Sequence, residues 1–294
     1  MAAIVPVPVP GTGVSPYTGL PARIGPVLAV KIDNVQAARP HTGVDAADLV
    51  YVEQVEAGQS RILAVYSSAL PPKVGPVRSA RESDLELLIQ FGSPILAYSG
   101  SQTALKPLIK SAPLFALPPE AAPAAFTRDP NRFAPHNLYL NPSKARAAVP
   151  GAVKAQDIGF RFGPPPAGGI TVNHHAVRFP AASFDFTWSG KRRQWMVSMD
   201  GETYRTPAGA PIGTPTVVVQ NVDVHPSRFK DRWGSVSPYT ETVGRGTATV
   251  LRDGRSFKAN WSRPNSEAKT TFTTLAGEPM NFAPGQVWVL LTAR

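Results

Sequence analysis

The chain has 294 residues, 43% hydrophobic and 17% charged, so it can bury one large core or two ordinary ones and is globular rather than disordered. It has no cysteine, which excludes disulfides, thiolate zinc sites and cysteine nucleophiles, and no apolar run approaches the roughly 18 residues of a membrane span. The net charge of +10, split +3 over 1–160 and +7 over 161–294, suits anionic partners, but basic residues do not cluster with aromatics in any nucleic-acid motif, so nucleic acid is not expected.

Residues 1–22 read as an extended, proline-rich tether, since the opening tract has no positive n-region and its apolar run is broken by prolines. Residues 23–160 read as a mixed α/β domain. Val27–Ile32 is a short apolar strand delivering Asp33 and Asn34 at its C-terminal end, where open α/β sheets bind ligands; a simple Asp-Asn turn is the alternative. Arg39 is held extended by Pro40.

Leu49–Val55 and Ile62–Tyr66 are two further strand-like runs, joined by the turn Glu56-Ala57-Gly58-Gln59. Alternation puts Tyr51, Glu53 and Val55 on one face and Val50, Val52 and Gln54 on the other. Glu53 then projects from the strand and Glu56 stands at its rim. Such a pair suits acid/base work or metal ligation, or is salt-bridged to Arg61 and Arg78.

Ser79 and Glu82 are spaced as a capping box, with Leu85, Leu88 and Ile89 as the apolar face of the helix and Gly92 as its stop. Arg78 and Arg81 therefore bracket a helix N-terminus that already favours an anion. Two guanidiniums there are unfavourable unless carboxylates or a ligand compensate them, which nominates a site. Pro94–Tyr98 is another strand, followed by a helix over Gln102–Ile109 with Ser101 as N-cap. His136 and Asn137 lie in a proline-bounded loop flanked by Arg128 and Arg132, which suits ligand positioning or a hydrogen-bonded surface histidine.

Residues 161–169 read as a Pro/Gly linker. From 170 to 294 the apolar period becomes two: Phe184, Phe186 and Trp188, then Trp195, Val197 and Met199, with Asp-Gly turns at Asp200-Gly201 and Asp253-Gly254. This predicts a mostly antiparallel all-β domain with a central strand over Thr214–Gln220. Trp233, Tyr239, Trp261 and Trp288 are either core or the lining of a glycan groove. The fold class expected is thus α+β or α/β, an N-terminal mixed domain followed by an all-β one.

Lys31-Ile32-Asp33-Asn34, Ala38-Arg39-Pro40 with Gly43, Ala47-Asp48-Leu49-Val50-Tyr51, Val55-Glu56-Ala57-Gly58 with Arg61, Gly75-Pro76-Val77-Arg78-Ser79-Ala80-Arg81 and Pro135-His136-Asn137-Leu138-Tyr139 occur in that order. Together they resemble the YerB-like bacterial lipoproteins, a family of unknown function with separate N- and C-terminal parts. Tyr17-Thr18-Gly19-Leu20-Pro21 also fits, and the Gly-Pro-Val-Arg-Ser-Ala-Arg string is the most specific element. The chain departs from the pattern at Ala57, where a second glycine is expected, and at Val52, a position often acidic. The resemblance implies an exported, lipid-anchored envelope protein, with leader and anchor outside this sequence and membrane contact only through that anchor.

Two functions compete. The first is cleavage of glycan, as a peptidoglycan glycosidase or lytic transglycosylase. Glu56 would be general acid/base and Glu53 or Asp33 the second carboxylate. Arg61, Arg78, Ser79 and Arg81 would bind acidic wall polymer, with Asn34, Arg39, His136 and Asn137 lining the ligand. Against it, a carboxyl beside arginines has its pKa lowered. The second is non-catalytic capture of a carboxylate or phosphate ligand by the same residues. A divalent metal on Asp33, Glu53, Glu56 and His136 is a weaker third option. No cofactor and no metal are expected, and the chain is expected to be a monomer.

Overall fold

The structure, a computed structural model, describes residues 13–230 and 234–294. It is mostly β, with 44% strand and 13% helix. One twelve-stranded sheet runs through the molecule. Its path begins with Ile170–Thr171, Arg255–Arg263, Gly244–Arg252, Thr216–Lys230 and Val287–Ala293, and continues through Leu49–Gln54, Ser60–Tyr66, Leu28–Asp33, Ile95–Ala97 and Phe115–Leu117. The segment 161–169 therefore does not separate two sheets. The last strand crosses back and pairs in parallel with Leu49–Gln54, Trp288 opposite Val50 and Leu290 opposite Val52.

Both faces of this sheet are covered, which is why its strands are continuous apolar runs rather than alternations. On one face a five-stranded sheet brings Phe184, Phe186, Trp195, Val197 and Met199 against Val50, Val52, Ile62, Trp288 and Leu290. On the other, Tyr51, Leu63 and Val65 pack with Leu85, Leu88 and Phe91 of the helix region and with Trp261, Phe272 and Phe282. The period-two reading of the second half holds: Phe184, Phe186, Trp195 and Val197 are fully buried. The Asp-Gly turns have positive φ at both residues, as hairpins of that kind require. Among the described residues, the elements from Ile170 onward are all strands.

Several local expectations change. Residues 13–22 are not a free tether. Gly13–Val14 pairs with Pro21–Ala22, and Tyr17 between them is fully buried edge-on against Phe91. The rest of that tether, 1–12, lies outside the described residues. The helix starts at Glu82, not after Ser79, because Arg78 N–H donates to Lys31 O and Ala80 N–H to Gly100 O, which holds 78–80 extended. Asp84 instead accepts the Arg81 N–H at 2.7 Å and caps the first turn. Ser101 caps nothing; its segment begins with a 3-10 turn at Thr103–Leu105 before the helix Lys106–Ser111. Trp261 and Trp288 are core, Tyr239 is tied to Glu86 through its hydroxyl, and Trp233 lies outside the described residues. No helix among the described residues is long and apolar enough to cross a membrane.

Candidate functional site

Cross-strand register builds the site. Asp33, Arg61 and Glu53 stand opposite one another on three adjacent strands, so they share the face that also carries the helix Glu82–Ile89. Lys31, two residues before Asp33, points the same way. From there the charges separate into two groups.

The first group is sealed. Lys31 Nζ binds Glu53, and it donates to Asp84 Oδ1 at 2.6 Å, with all three side chains buried. Burial outweighs the attraction of Lys31 and lifts the Glu53 carboxyl to about 6. Glu53 is thus not presented beside Glu56 as a second carboxylate. It belongs to a structural ion cluster under the helix N-terminus.

The second group surrounds a cavity of about 780 Å³ lined by Glu56, Arg61, Arg78, Ser79 and Arg81, by Ser101, Gln102, Ala134 and Pro135, and by the apolar side chains of Val35 and Val55. Glu56 sits in the turn after its strand. Its Oε2 accepts from Arg81 Nε at 3.1 Å and Nη2 at 2.6 Å, and its Oε1 accepts from the Ser237 hydroxyl. Burial alone would raise this carboxyl. The Arg81 bonds and charge, with Ser237, override it and hold the group down at about 2. The turn also explains the glycine expected at position 57, since Ala57 adopts φ +56, a left-handed conformation that glycine takes without strain.

Asp33 closes the floor. Its Oδ2 lies 3.0 Å from Arg78 Nε and 2.8 Å from His136 Nδ1, and its Oδ1 lies 3.6 Å from Arg61 Nε. Burial pushes the Asp33 carboxyl up, but Arg61, Arg78 and His136 together pull it below its ordinary value. Arg61 is less well served. It is 7% exposed, and its Nε and Nη1 have no hydrogen-bond partner among the described residues. Burial and the charges of Arg81 and Arg78 bring the guanidinium down to about 10, against the pull of Asp33 and Glu56. It remains charged at neutral pH, with unfilled donors at the wall of a cavity. Ser101 Oγ is likewise buried and unpartnered.

The remaining candidates support this cleft rather than line it. Asn34 donates to Ser60 Oγ at 2.8 Å and accepts from Arg39, which reaches across to Asp200 and Met199 O of the smaller sheet. Asn137 braces its own loop, donating to Arg132 O at 3.1 Å and accepting from Arg128 at 2.7 Å. Val52 is fully buried in the opposite core, so an acid there would not face the cleft. No group of three His, Asp or Glu side chains among the described residues could hold a metal ion, because Asp33, Glu53 and Glu56 each face cations instead.

The family described as "Protein of unknown function (DUF3048) N-terminal domain" matches residues 12–156, and its C-terminal counterpart matches 175–289. The chain belongs to the DUF3048 family. It is similar to the Bacillus subtilis (strain 168) protein named "Putative lipoprotein YerB", 24% identical over 271 residues covering 89% of this chain and 80% of that one. It also matches the crystal structure of YerB from Bacillus subtilis with a TM-score of 0.80 at 21% identity, over 95% of this chain and 96% of the other. That likeness extends to the fold. The DUF3048 domains carry no assigned activity, so the chemistry is argued from the cleft itself.

Proposed function

We propose that this cleft captures a carboxylate or phosphate group of an anionic cell-envelope polymer, in an extracytoplasmic protein that need not turn its ligand over. The observation that carries the reading is Arg61, a buried guanidinium with unfilled donors facing a cavity. An unsatisfied buried charge is costly, and an oxyanion supplies what it lacks. Arg61, Arg78 and Arg81 against Asp33 and Glu56 leave one positive charge, so the cleft is cationic. We read the chain as a mixed N-terminal domain followed by a β-rich one, whose Ser237 reaches the cleft through Glu56. The envelope location follows the DUF3048 relative named as a lipoprotein, and the high basic balance suits acidic wall polymer, peptidoglycan included.

Glycan cleavage fits less well. It needs a proton donor of raised pKa beside the scissile bond, whereas Glu56 is held ionised and Glu53 is sealed away. The binding reading is tested by co-sedimentation of the chain with purified peptidoglycan sacculi across a salt series. Arg78, partly exposed, can be truncated without opening the core. Arg78→Ala is expected to shift the protein to the supernatant; its melting temperature should fall but the transition stay cooperative, because buried Asp33 loses one of its three partners. Equal pelleting of both proteins would remove the cleft from the interaction.

A further inference from the structure

We propose that the occupant of this cleft is a sugar residue bearing a single negative charge, and that Phe133 is the face on which its ring rests. The inference deepens the anion-capture reading and depends on it. Single exposed apolar side chains are ordinary and mean little alone. Phe133 differs because the loop that carries it is tied down on every side. Asp129 N–H donates to Asn137 O at 2.8 Å, and the Asn137 amide donates to Arg132 O. The Arg132 guanidinium donates to Ala37 O at 3.0 Å and to Tyr139 Oη at 2.7 Å. This fixed loop nevertheless leaves Phe133 90% exposed, more than any other large hydrophobic side chain described. The next two residues, Ala134 and Pro135, line the cavity, and His136 after them binds Asp33. Phe133 therefore stands one residue along the chain from the lining of the cationic cleft, on a loop whose backbone is fixed.

The other requirements of the ligand follow from the lining. The surplus of one positive charge matches a monoanion, and a dianion would overshoot it. Ser101 Oγ, buried without a partner among the described residues, and Gln102 offer polar contacts beside the apolar Val35 and Val55. A volume of about 780 Å³ is far more than a lone carboxylate fills. One charge, several hydroxyls and an apolar ring face are combined in an acidic sugar.

The test is a nuclear magnetic resonance titration of the full chain with N-acetylmuramic acid, N-acetylglucosamine and D-lactate, which separate the charge from the ring. The wild type is expected to bind N-acetylmuramic acid roughly tenfold more tightly than either fragment. Phe133→Ala should erase that advantage and leave lactate binding unchanged; Phe133→Trp should keep it. Unaltered N-acetylmuramic acid binding by Phe133→Ala would overturn the proposal. Lactate binding with no gain for the acidic sugar would overturn the proposal alone. No binding of either acid would overturn the anion-capture reading with it.

Discussion

Replacing Glu56 by Gln removes one negative charge and should expose how strongly the cleft holds that carboxylate. The group falls from its ordinary 4.5 to about 2 on folding. At about 1.4 kcal/mol for each tenfold change in proton affinity the shift converts to about 3 kcal/mol, and solvent screening at the cavity wall brings the contribution of the ionised form below that. Because the folded-state pKa is the lower one, that contribution is complete above 4.5 and is lost as pH falls toward 2. Glu56→Gln should therefore be less stable than the wild type by at most about 3 kcal/mol at pH 7, with the gap reduced by more than half at pH 3. Urea unfolding of both proteins at the two pH values measures it. The partial hydrogen bonding that Gln retains with Arg81 makes this figure an upper bound. A gap that is equal at pH 3 and pH 7 would refute the reasoning, since the Glu56 carboxyl would then titrate as in the unfolded chain and Arg81 would not be holding it down.

Lys31→Met should cost about 3 to 5 kcal/mol, because it leaves Glu53 and Asp84 buried as an unpaired like-charged couple; a loss under about 1 kcal/mol in urea unfolding would contradict the cluster. In the wild type, burial holds Glu53 above its ordinary 4.5, so the stability tied to its protonated form is present below that value and is lost as pH rises toward about 6. Glu53→Gln should flatten that part of the stability–pH curve, and an unchanged slope would count against it. Asp33→Asn takes the cleft from one surplus positive charge to two, so it should bind D-lactate roughly tenfold more tightly while lowering the melting temperature; weaker binding would show that Asp33 does not compete with the ligand.

The candidate residues were legible in the sequence because charged residues in apolar runs need a reason to be there, but their convergence was not, since they are distant along the chain. Glu56, Arg61, Arg78, Ser79 and Arg81, spread over three segments, do meet at one cavity. Lys31 carries the same signal inside VLAVKI, a charge in an apolar strand that requires buried anionic partners, which Glu53 and Asp84 supply. Ser79 and Glu82 satisfy the capping spacing, yet the helix starts two residues later than that spacing implies, because the backbone bonds to Lys31 O and Gly100 O that hold 78–80 extended are tertiary. Ser237 left no trace, since it meets Glu56 across 181 positions of sequence. The continuity of the large sheet was hidden for a related reason. VWVLLTA looks like any buried strand, and nothing local says that it pairs in parallel with Leu49–Gln54. The period-two half was easier, because each strand of the smaller sheet shows one face to the core and one to water.

The most direct test of the central claim is a digest of purified peptidoglycan with the wild type and with Glu56→Gln, read by mass spectrometry, with the sacculi pelleted afterwards. Capture without turnover predicts no new soluble muropeptides from either protein, with the wild type found in the pellet. Muropeptides released by the wild type and absent with Glu56→Gln would contradict it and make Glu56 a catalytic residue.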